Sequence, residues 1–292
     1  MAAPKKKILI VGGTGFVGGN LAKALATHHQ VICTFRKDFT PMPGVEYFRF
    51  ADITDKEQCK ALVQKFQPEV VIYTVGSNDV AKAEKEVILT QALHSTAATL
   101  IMTAADYIKA KFILISSDWV FSGTEGNYSE SDTAMPYSQI GKAKLGAENF
   151  VRSRSSNHVI FRASLLLGRG TIQHPAWLDT LRERQLFNEK IALPKKVVTN
   201  PVHISLLIDA VEKVIDQDIR NKTFHIGGLT KTSFFDLAQL FLKKMDLNPG
   251  LIEQSDTSNQ TSGTDFSLNF TQTIRLLKVE PLLLEQSLDL LK

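Results

Sequence analysis

Three glycines near the amino terminus, Gly12, Gly15 and Gly18, stand at intervals of three residues. They follow the apolar run Ile8–Val11, which predicts a buried strand, and they precede apolar and small residues at helical spacing. At such a junction the unpaired N–H groups of the helix start attract anions, and glycine lets a phosphate approach the backbone. The pattern predicts a dinucleotide-binding turn; the alternative is a glycine turn that is needed for steric reasons alone.

The end of the second predicted strand carries residues that would distinguish between nicotinamide cofactors. An acidic side chain there binds the ribose of NAD(H), whereas an arginine pairs with the 2′-phosphate of NADP(H). Phe35 occupies the position of the acid, and Arg36 and Lys37 follow it. We therefore expect NADP(H) to be favoured over NAD(H). Two alternatives stay open: the two cations are solvated loop charges, or Asp38 turns back to a ribose.

Strands and helices alternate along the first half of the chain, which predicts an α/β fold: a Rossmann doubly wound parallel sheet with helices on both faces. The predicted strands are Ile8–Val11, Val31–Phe35, Val45–Phe50, Val70–Val75, Phe112–Ser116 and His158–Ala163. The predicted helices are Lys56–Phe66, Val80–Lys109 and one that Pro136 opens and that runs to about Ser153, after a long loop over Asp118–Met135.

The remainder of the chain is less regular and predicts a smaller α/β lobe, interleaved with the last sheet strands. Its predicted elements are helices near Pro175–Phe187, Ser205–Asp216, Ser233–Met245 and Pro281–Leu291 and a strand at Phe224–Ile226. We accordingly divide the chain into a dinucleotide-binding domain over residues 1–165 and the smaller lobe over residues 166–292.

Composition is that of an ordinary globular protein. The chain has 292 residues, 43% of them hydrophobic and 22% charged, and its net charge of +4 is too small to argue for nucleic acid as a partner. Cys33 and Cys59 form neither a disulfide framework nor a metal-ligand pattern, so we expect two core residues and no metal. The first apolar run is too short for a signal peptide or a membrane span, and the expected location is therefore the cytoplasm.

Three further stretches carry a resemblance to a known family. They are V-I-Y-T-V-G-S-N-D-V-A-K-A-E at residues 71–84, I-S-S-D-W-V-F-S-G at 115–123 and G-K-A-K-L-G-A-E at 141–148. With the glycine turn and F-R-A-S at 161–164, the chain resembles an extended short-chain dehydrogenase/reductase, closest to the dTDP-4-dehydrorhamnose reductase branch. The resemblance implies a Rossmann domain, a small C-terminal substrate lobe and a nicotinamide cofactor that lies across the strand ends.

The catalytic tyrosine of that family is replaced in this chain. In the family a tyrosine four residues before a helical lysine exchanges a proton with the substrate oxygen, and the lysine holds the nicotinamide ribose and lowers the pKa of the phenol. The resemblance makes Lys144 the lysine, and Ile140 stands where the tyrosine would be. Tyr137 is a candidate substitute acid, one turn nearer the helix start; the alternative is an aromatic residue that only packs the loop.

The resemblance also implies roles for other positions. Ser117 would hold the substrate oxygen, although a serine that satisfies a strand end is the alternative, and Trp119 would replace a tyrosine in the substrate site. His94 falls where related enzymes carry an asparagine, and a structural histidine is the alternative. Asp52 would contact adenine or cap the helix that begins near Asp55. The full set of implied cofactor contacts is Gly12, Thr14, Gly15, Phe16, Val17, Gly18, Arg36, Lys37, Asp52, Ile53, Thr74 and Lys144.

Two functions follow from this resemblance. The first is an NADP(H)-dependent reductase of a nucleotide-linked keto sugar or related carbonyl compound, with weakened or altered catalysis. The second is a non-catalytic cofactor-binding subunit, similar to the regulatory β subunit of methionine adenosyltransferase, that acts on a protein partner. Ile140 separates the two, whereas Lys144 serves both, and homo-oligomerisation stays open. A dehydratase or epimerase is less favoured because those relatives also use the missing tyrosine.

Overall fold

A seven-stranded, entirely parallel sheet forms the centre of the computed structural model, which describes residues 4–37, 39–77, 79–171, 173–255 and 264–292. The strands of the chain are β1 (Lys7–Val11), β2 (Gln30–Phe35), β3 (Val45–Arg49), β4 (Val70–Tyr73), β5 (Lys111–Ser117), β6 (His158–Ala163), β7 (Leu166–Leu167), β8 (Ile191–Pro194), β9 (Val198–Thr199), β10 (Val202–His203), β11 (Lys222–Ile226), β12 (Thr232–Ser233) and β13 (Ile252–Ser255). The order across the sheet is β11-β6-β5-β4-β1-β2-β3. This order reverses between β1 and β4, where ligands bind in folds of this type.

Helices cover both faces of the sheet. They are α1 (Phe16–Leu25), α2 (Lys56–Phe66), α3 (Val80–Lys85), α4 (Val87–Gln91), α5 (Ala97–Tyr107), α6 (Gln139–Arg154), α7 (Trp177–Leu186), α8 (Ser205–Asp216), α9 (Phe234–Lys244), α10 (Thr271–Leu277) and α11 (Leu284–Asp289). Alternate residues of β1 face opposite cores: Ile8 and Ile10 pack with α1 and α8, whereas Leu9 and Val11 pack with α2, α5 and α6. Burial on both faces explains why β1 is continuously apolar, and the Rossmann sheet predicted from the sequence is confirmed.

A separate apolar cluster lies in the C-terminal part of the chain. Its buried side chains come from the segments around β7, β8, β13, α7, α9 and α11, all after residue 165. The strand β11 from the same part of the chain pairs with β6 in the main sheet, and α8 packs on that sheet. Residues 166–292 therefore contribute to both cores, and the boundary at residue 165 stays a prediction.

The helix that carries Lys144 begins later than the sequence pattern indicates. Pro136 does not open it; α6 begins at Gln139, and the Ser138 hydroxyl accepts a hydrogen bond from Gly141 N at 3.1 Å. Because the Ser138 hydroxyl satisfies a backbone N–H of the first turn, the serine cap sets the boundary of the helix.

The predicted helix Val80–Lys109 is interrupted, and α10 was not predicted at all. Glu86 leaves the helical region between α3 and α4, and a π-helical turn over Ala92–Thr96 joins α4 to α5. The seven-residue α10 is too short for a clear helical period. The remaining predicted elements agree with the structure to within a few residues.

Among the described residues, the helical run Val87–Tyr107 is long and apolar enough to span a membrane by composition alone. Ala98, Ile101 and Ala105 of this run are buried against the sheet. Core helices pass the same test, so this is weak evidence for a membrane span. Cys33 and Cys59 are both buried free thiols, which confirms their expected place in the core.

Candidate active site at the carboxyl edge of the sheet

The glycine turn joins β1 to α1 as the sequence pattern predicts. Gly12 has a φ of +89°, a left-handed conformation that favours glycine, and its carbonyl accepts a hydrogen bond from Gly15 N at 3.1 Å. Gly15 is the N-cap of α1, and no described side chain caps the helix start. The first N–H groups of α1 are therefore available to an anion.

Different constraints require glycine at different positions of the turn. A Cβ at Gly18 would lie 2.3 Å from the Gly12 oxygen, and one at Gly13 would lie 2.3 Å from the Cys33 sulfur. A Cβ at Gly15 would meet only the Gly12 oxygen, at an ordinary contact distance of 3.4 Å. Packing thus requires glycine at positions 13 and 18, whereas the space above Gly15 is open and fits the approach of a pyrophosphate to the backbone.

Two threonine hydroxyls hold the turn in place. Thr34 Oγ1 at the end of β2 accepts a hydrogen bond from Gly12 N at 3.0 Å. Thr74 Oγ1, which follows β4, donates to the Val11 and Gly12 carbonyls at 3.0 and 3.1 Å. Thr74 thus supports the turn from the side of β4, where the strand order reverses. Sequence reasoning did not single out Thr34, whose only signal is a polar residue late in an apolar strand.

Three other implied cofactor contacts lie at the turn, and their role in binding a cofactor stays a prediction. Thr14, Phe16 and Val17 are all half-buried at the start of α1. Val17 packs on the core cluster of the α1 face. The Phe16 ring lies 3.1 Å from where a Cβ of Gly168 would stand, so it meets the segment after β7. The turn is therefore built against the smaller lobe as well as the sheet.

An aromatic cluster follows β2, where an acid would bind ribose. The Phe35 ring lies 4.6 Å from that of Phe39, which lies 4.4 Å from that of Tyr47. Arg36 and Lys37 are exposed and make no ion pair with another described residue. Both cations are thus accessible to a phosphate.

Asp52 and Ile53 follow β3 beside this cluster. Asp52 Oδ1 accepts hydrogen bonds from Thr54 N at 2.8 Å and Thr54 Oγ1 at 2.6 Å. Asp55, not Asp52, caps α2, so the capping alternative for Asp52 is wrong: Asp55 is the residue within reach of the second and third helical N–H groups. Ile53 packs on the core. The alternative that involves Asp38 lies outside the described residues.

Ser117 ends β5 and caps the 3-10 turn Asp118–Val120. Its hydroxyl oxygen accepts a hydrogen bond from Trp119 N at 3.3 Å. A hydroxyl that accepts this bond keeps its own proton for donation. Satisfying the strand end and holding a substrate oxygen are therefore compatible roles for Ser117.

Lys144 lies on α6 against the end of β5, and its Nζ is 3.5 Å from the Ile115 oxygen. Burial lowers the pKa of the Lys144 ammonium to about 8, against the opposing attraction of Glu148 and Asp118. The side chain borders a small cavity that is also lined by Tyr73, Val75, His94, Leu114, Ile115, Ser116 and Ala147. A half-buried ammonium at the strand ends suits a contact with an uncharged polar group such as a ribose.

A buried ion pair fixes the rotation of α6 one turn beyond Lys144. Glu148 Oε2 accepts from Arg162 Nη2 on β6 at 2.8 Å and from Arg152 Nη2 at 2.7 Å. Although burial opposes ionisation, these two guanidinium groups hold the pKa of Glu148 below its usual value. Glu148 lies on α6 and Arg162 lies on β6, so the ion pair fixes the direction in which Lys144 faces the sheet.

Asp118 is a buried carboxyl between Ser117 and Trp119, with 5% of its surface exposed. Thr199 Oγ1 donates to Asp118 Oδ2 at 3.2 Å, and Ser164 Oγ lies 2.7 Å from Thr199 Oγ1. Burial raises the pKa of Asp118 to about 7, although the Thr199 hydroxyl, the Trp119 N–H and the Lys144 charge favour its ionised form. Sequence reasoning missed Asp118, whose only signal was its place within the I-S-S-D-W-V-F stretch.

His94 lies in the π-helical turn and has a structural partner. Its Nε2 accepts a hydrogen bond from Ser77 N at 3.2 Å. Burial and the Lys144 charge lower the pKa of His94 to about 3, so the ring is neutral. Tyr73 Oη donates to the Leu93 oxygen in the same turn at 2.6 Å. These bonds match the structural alternative for His94, while its ring still borders the cavity beside Lys144.

No tyrosine occupies the position four residues before Lys144. Ile140 is 1% exposed in the first turn of α6, and Tyr137 precedes the cap Ser138, with 47% of its surface exposed. Because α6 begins at Gln139, Tyr137 lies before the helix and not in its first turn. Within the described part of the chain the Tyr137 hydroxyl makes no hydrogen bond, and its role as a substitute acid stays a prediction.

Trp119 is part of an aromatic stack at the edge of the site. Its ring lies 5.5 Å from that of Phe266 in a stacked arrangement, and Gly123, with a φ of +76°, makes room for the Phe266 ring. Asn200 holds the segment that carries Phe266, since its Oδ1 accepts from Leu268 N and its Nδ2 donates to the Leu268 oxygen, each at 2.9 Å. The stack therefore joins the two parts of the chain.

Three features together define a dinucleotide-binding protein of the Rossmann class: the sheet order, the glycine turn where that order reverses, and the lysine beside β5. Residues 6–265 match the family model described as the RmlD substrate binding domain. The chain belongs to that family, as an RmlD-like extended short-chain dehydrogenase/reductase, which confirms the resemblance.

Known proteins of two kinds are similar to this chain. The dTDP-4-dehydrorhamnose reductase of Escherichia coli is 28% identical over 248 residues, which cover 81% of this chain and 77% of the relative. The methionine adenosyltransferase 2 subunit beta of Rattus norvegicus is 26% identical over 243 residues, which cover 80% and 71%. The crystal structure of dTDP-4-dehydrorhamnose reductase from Bacillus anthracis in complex with NADP superposes with a TM-score of 0.80, at 21% identity and over 98% of both chains.

Proposed function

We propose that this protein is an NADP(H)-dependent reductase that acts on the keto group of a nucleotide-linked sugar or a related carbonyl compound. The observation that carries the proposal is the convergence of three groups at one edge of the sheet. The open turn at Gly15, the Ser117 hydroxyl and the Lys144 ammonium all lie at the carboxyl ends of β1 and β5. Both the reductase relatives and the family model support this assignment.

The residues of the turn fit a nicotinamide dinucleotide. The N–H groups at the start of α1 would hold the pyrophosphate above Gly15, and Lys144 would hold the nicotinamide ribose. Arg36 and Lys37 would pair with a 2′-phosphate, which supports NADP(H) over NAD(H). A nicotinamide dinucleotide held in this way would supply the hydride for reduction of a carbonyl.

The chain's own groups would bind and polarise the ketone. Ser117 keeps its proton for a hydrogen bond to the carbonyl oxygen, because its oxygen already accepts from Trp119 N. The stacked rings of Trp119 and Phe266 offer an apolar surface at the same edge. With Ile140 in place of tyrosine, the usual proton donor of the family is absent, so we expect slow turnover unless another group supplies the proton.

The experiment follows NADPH oxidation with a panel of nucleotide-linked 4-keto sugars. We expect slow but saturable turnover, loss of turnover in Ser117→Ala and weaker NADPH binding in Lys144→Met. Glu253→Gln is a matched surface control, since the ion pair that Glu253 makes in the described part of the chain is with the exposed Lys190. Tight NADPH binding with no turnover of any ketone would contradict the reductase assignment.

A second candidate function is a cofactor-binding regulatory subunit. It is favoured by the buried Ile140, which cannot donate a proton, and by the similarity to methionine adenosyltransferase 2 subunit beta. In that case NADPH binds, no ketone is reduced, and the protein binds the methionine adenosyltransferase catalytic chain from its own source in analytical ultracentrifugation. Absence of that complex would exclude this candidate.

A further inference from the structure

A cleft separate from the candidate active site lies beside α6. Its volume is about 330 Å³, within the range of about 300–1,000 Å³ that is usual for small-molecule sites. Four residues of the segment 130–134 line it on one side, and Leu145, Asn149 and Arg152 of α6 line it on the other, together with Arg162 of β6. None of the residues that line this α6 cleft borders the cavity beside Lys144.

Arg162 forms the floor of the α6 cleft, since it is the one buried residue among those that line it. Its Nε and Nη2 donate to the Glu148 carboxylate at 3.1 and 2.8 Å. Nη1, on the opposite side of the guanidinium, has no hydrogen-bond partner within the described structure. Buried donors are nearly always paired, because an unpaired one destabilises the fold. An acceptor from outside the chain is therefore expected at Nη1.

The two sides of the cleft carry opposite charges that do not pair with each other. The ion pairs that Arg152 and Arg162 make in the described part of the chain both go to Glu148, so this side keeps one uncompensated positive charge. Glu130 and Asp132 supply negative charge on the other side. Each is fixed by a backbone N–H, which Glu130 Oε1 accepts at 3.2 Å and Asp132 Oδ2 at 2.7 Å.

These charges decide the kind of molecule that fits. A simple anion would be attracted by Arg162 and repelled by Glu130 and Asp132, and a simple cation would meet the reverse. An uncharged apolar molecule would leave Arg162 Nη1 without an acceptor. A dipolar molecule with a carboxylate and an ammonium satisfies both sides. The half-buried side chains of Leu145 and Ala134 add apolar surface for an aliphatic group.

We propose that the α6 cleft binds a free α-amino acid with an aliphatic side chain. The carboxylate of the amino acid accepts a hydrogen bond from Arg162 Nη1, and its ammonium lies against Glu130 and Asp132. Its side chain packs on Leu145 and Ala134. This site does not depend on the proposed reductase function, since it shares no residue with the candidate active site.

The first experiment titrates the full chain with L-leucine in a calorimeter, beside two probes that each carry one of its charges. The acid 4-methylpentanoate has the carboxylate alone, and the amine 3-methylbutylamine has the ammonium alone. We expect saturable binding of L-leucine and an affinity at least about tenfold lower for each half molecule, because each loses one set of charge-assisted hydrogen bonds. A crystal structure with L-leucine should place its carboxylate within hydrogen-bond distance of Arg162 Nη1.

Two conservative variants test the anionic side without touching the buried ion pair. Asp132→Asn and Glu130→Gln keep the oxygens that accept from Ser129 N and His225 N, and each removes one negative charge. We expect each variant to weaken L-leucine binding about tenfold. Asp246→Asn, the same kind of change in an exposed turn after α9, is the matched control and should bind L-leucine as the unsubstituted protein does.

Three results would overturn the proposal. Absence of saturable L-leucine binding would leave Arg162 Nη1 to water alone. A half molecule that binds as tightly as L-leucine would show that the cleft does not select a dipolar ligand. L-leucine binding that is unchanged in both Asp132→Asn and Glu130→Gln would place the amino acid outside the α6 cleft.

Discussion

Gly15→Val separates the ligand-binding role of the glycine turn from its packing role. Gly15 has φ −73° and ψ 173°, a β-region conformation that valine adopts readily, and its Cβ would meet only the Gly12 oxygen at 3.4 Å. The cost to folding is therefore limited to replacing a glycine N-cap with a poor one, about 1 kcal/mol. The isopropyl group would fill the space where the pyrophosphate approaches the backbone.

The expected loss of affinity for NADPH is large. If the variant prevents two charge-assisted hydrogen bonds to the pyrophosphate, each worth about 1.5–3 kcal/mol, the affinity falls by roughly 10²- to 10⁴-fold. Calorimetric titration with NADPH measures this loss, and urea unfolding measures the stability of the same variant.

Gly18→Ala is the matched control, because we expect it to lower the free energy of unfolding. Its Cβ would lie 2.3 Å from the backbone oxygen of Gly12, which cannot move without distorting the turn. We expect a loss of unfolding free energy of about 1–3 kcal/mol, as for other overpacked sites. A Gly15→Val protein that binds NADPH normally would refute the reasoning and make the turn purely structural. A Gly15→Val protein that unfolds as readily as Gly18→Ala would show that the space above Gly15 is not open.

Four further predictions concern the cofactor, the proton donor and the buried charges. Arg36→Ala should weaken NADPH binding by at least about tenfold and leave NADH binding unchanged, as measured by calorimetry, because only the 2′-phosphate loses a partner; equal effects on both cofactors would contradict this. Ile140→Tyr should raise the rate of NADPH oxidation with a keto sugar, since Lys144 is retained beside the new phenol, and a silent substitution would show that substrate does not reach this position. Glu148→Gln should lower the free energy of unfolding by about 3–5 kcal/mol in urea titrations, because it leaves Arg162 buried without its anion; a change below about 1 kcal/mol would remove the buried pair from the account. Finally, the pKa of Asp118, raised from 3.8 to about 7, means that the native state keeps a proton that the unfolded state loses, so this group's stabilisation is full below about pH 4 and declines as the pH rises to about 7. The difference amounts to about 4 kcal/mol at 1.36 kcal/mol per pKa unit, and a pH series of unfolding curves should show this slope in the unsubstituted protein and not in Asp118→Asn.

The sequence by itself determined the local part of this protein. The run Ile8–Val11, the glycines that follow and the helical spacing after Phe16 predict β1, the turn and α1, because each of these features depends on neighbouring residues only. The absence of a tyrosine at position 140 was likewise visible in the sequence. The alternation of strands and helices also predicted the parallel sheet, since a right-handed crossover leaves few other arrangements.

The tertiary structure alone decided which polar side chains are buried and what they meet. The hydrogen bond between Thr199 and Asp118 joins residues 81 positions apart, and Arg162 reaches Glu148 from a different element. No periodicity encodes such contacts, so Asp118 looked like an ordinary loop residue. A pKa depends on the dielectric and on the charges that the folded chain brings together, and both are properties of the packed structure rather than of any short stretch.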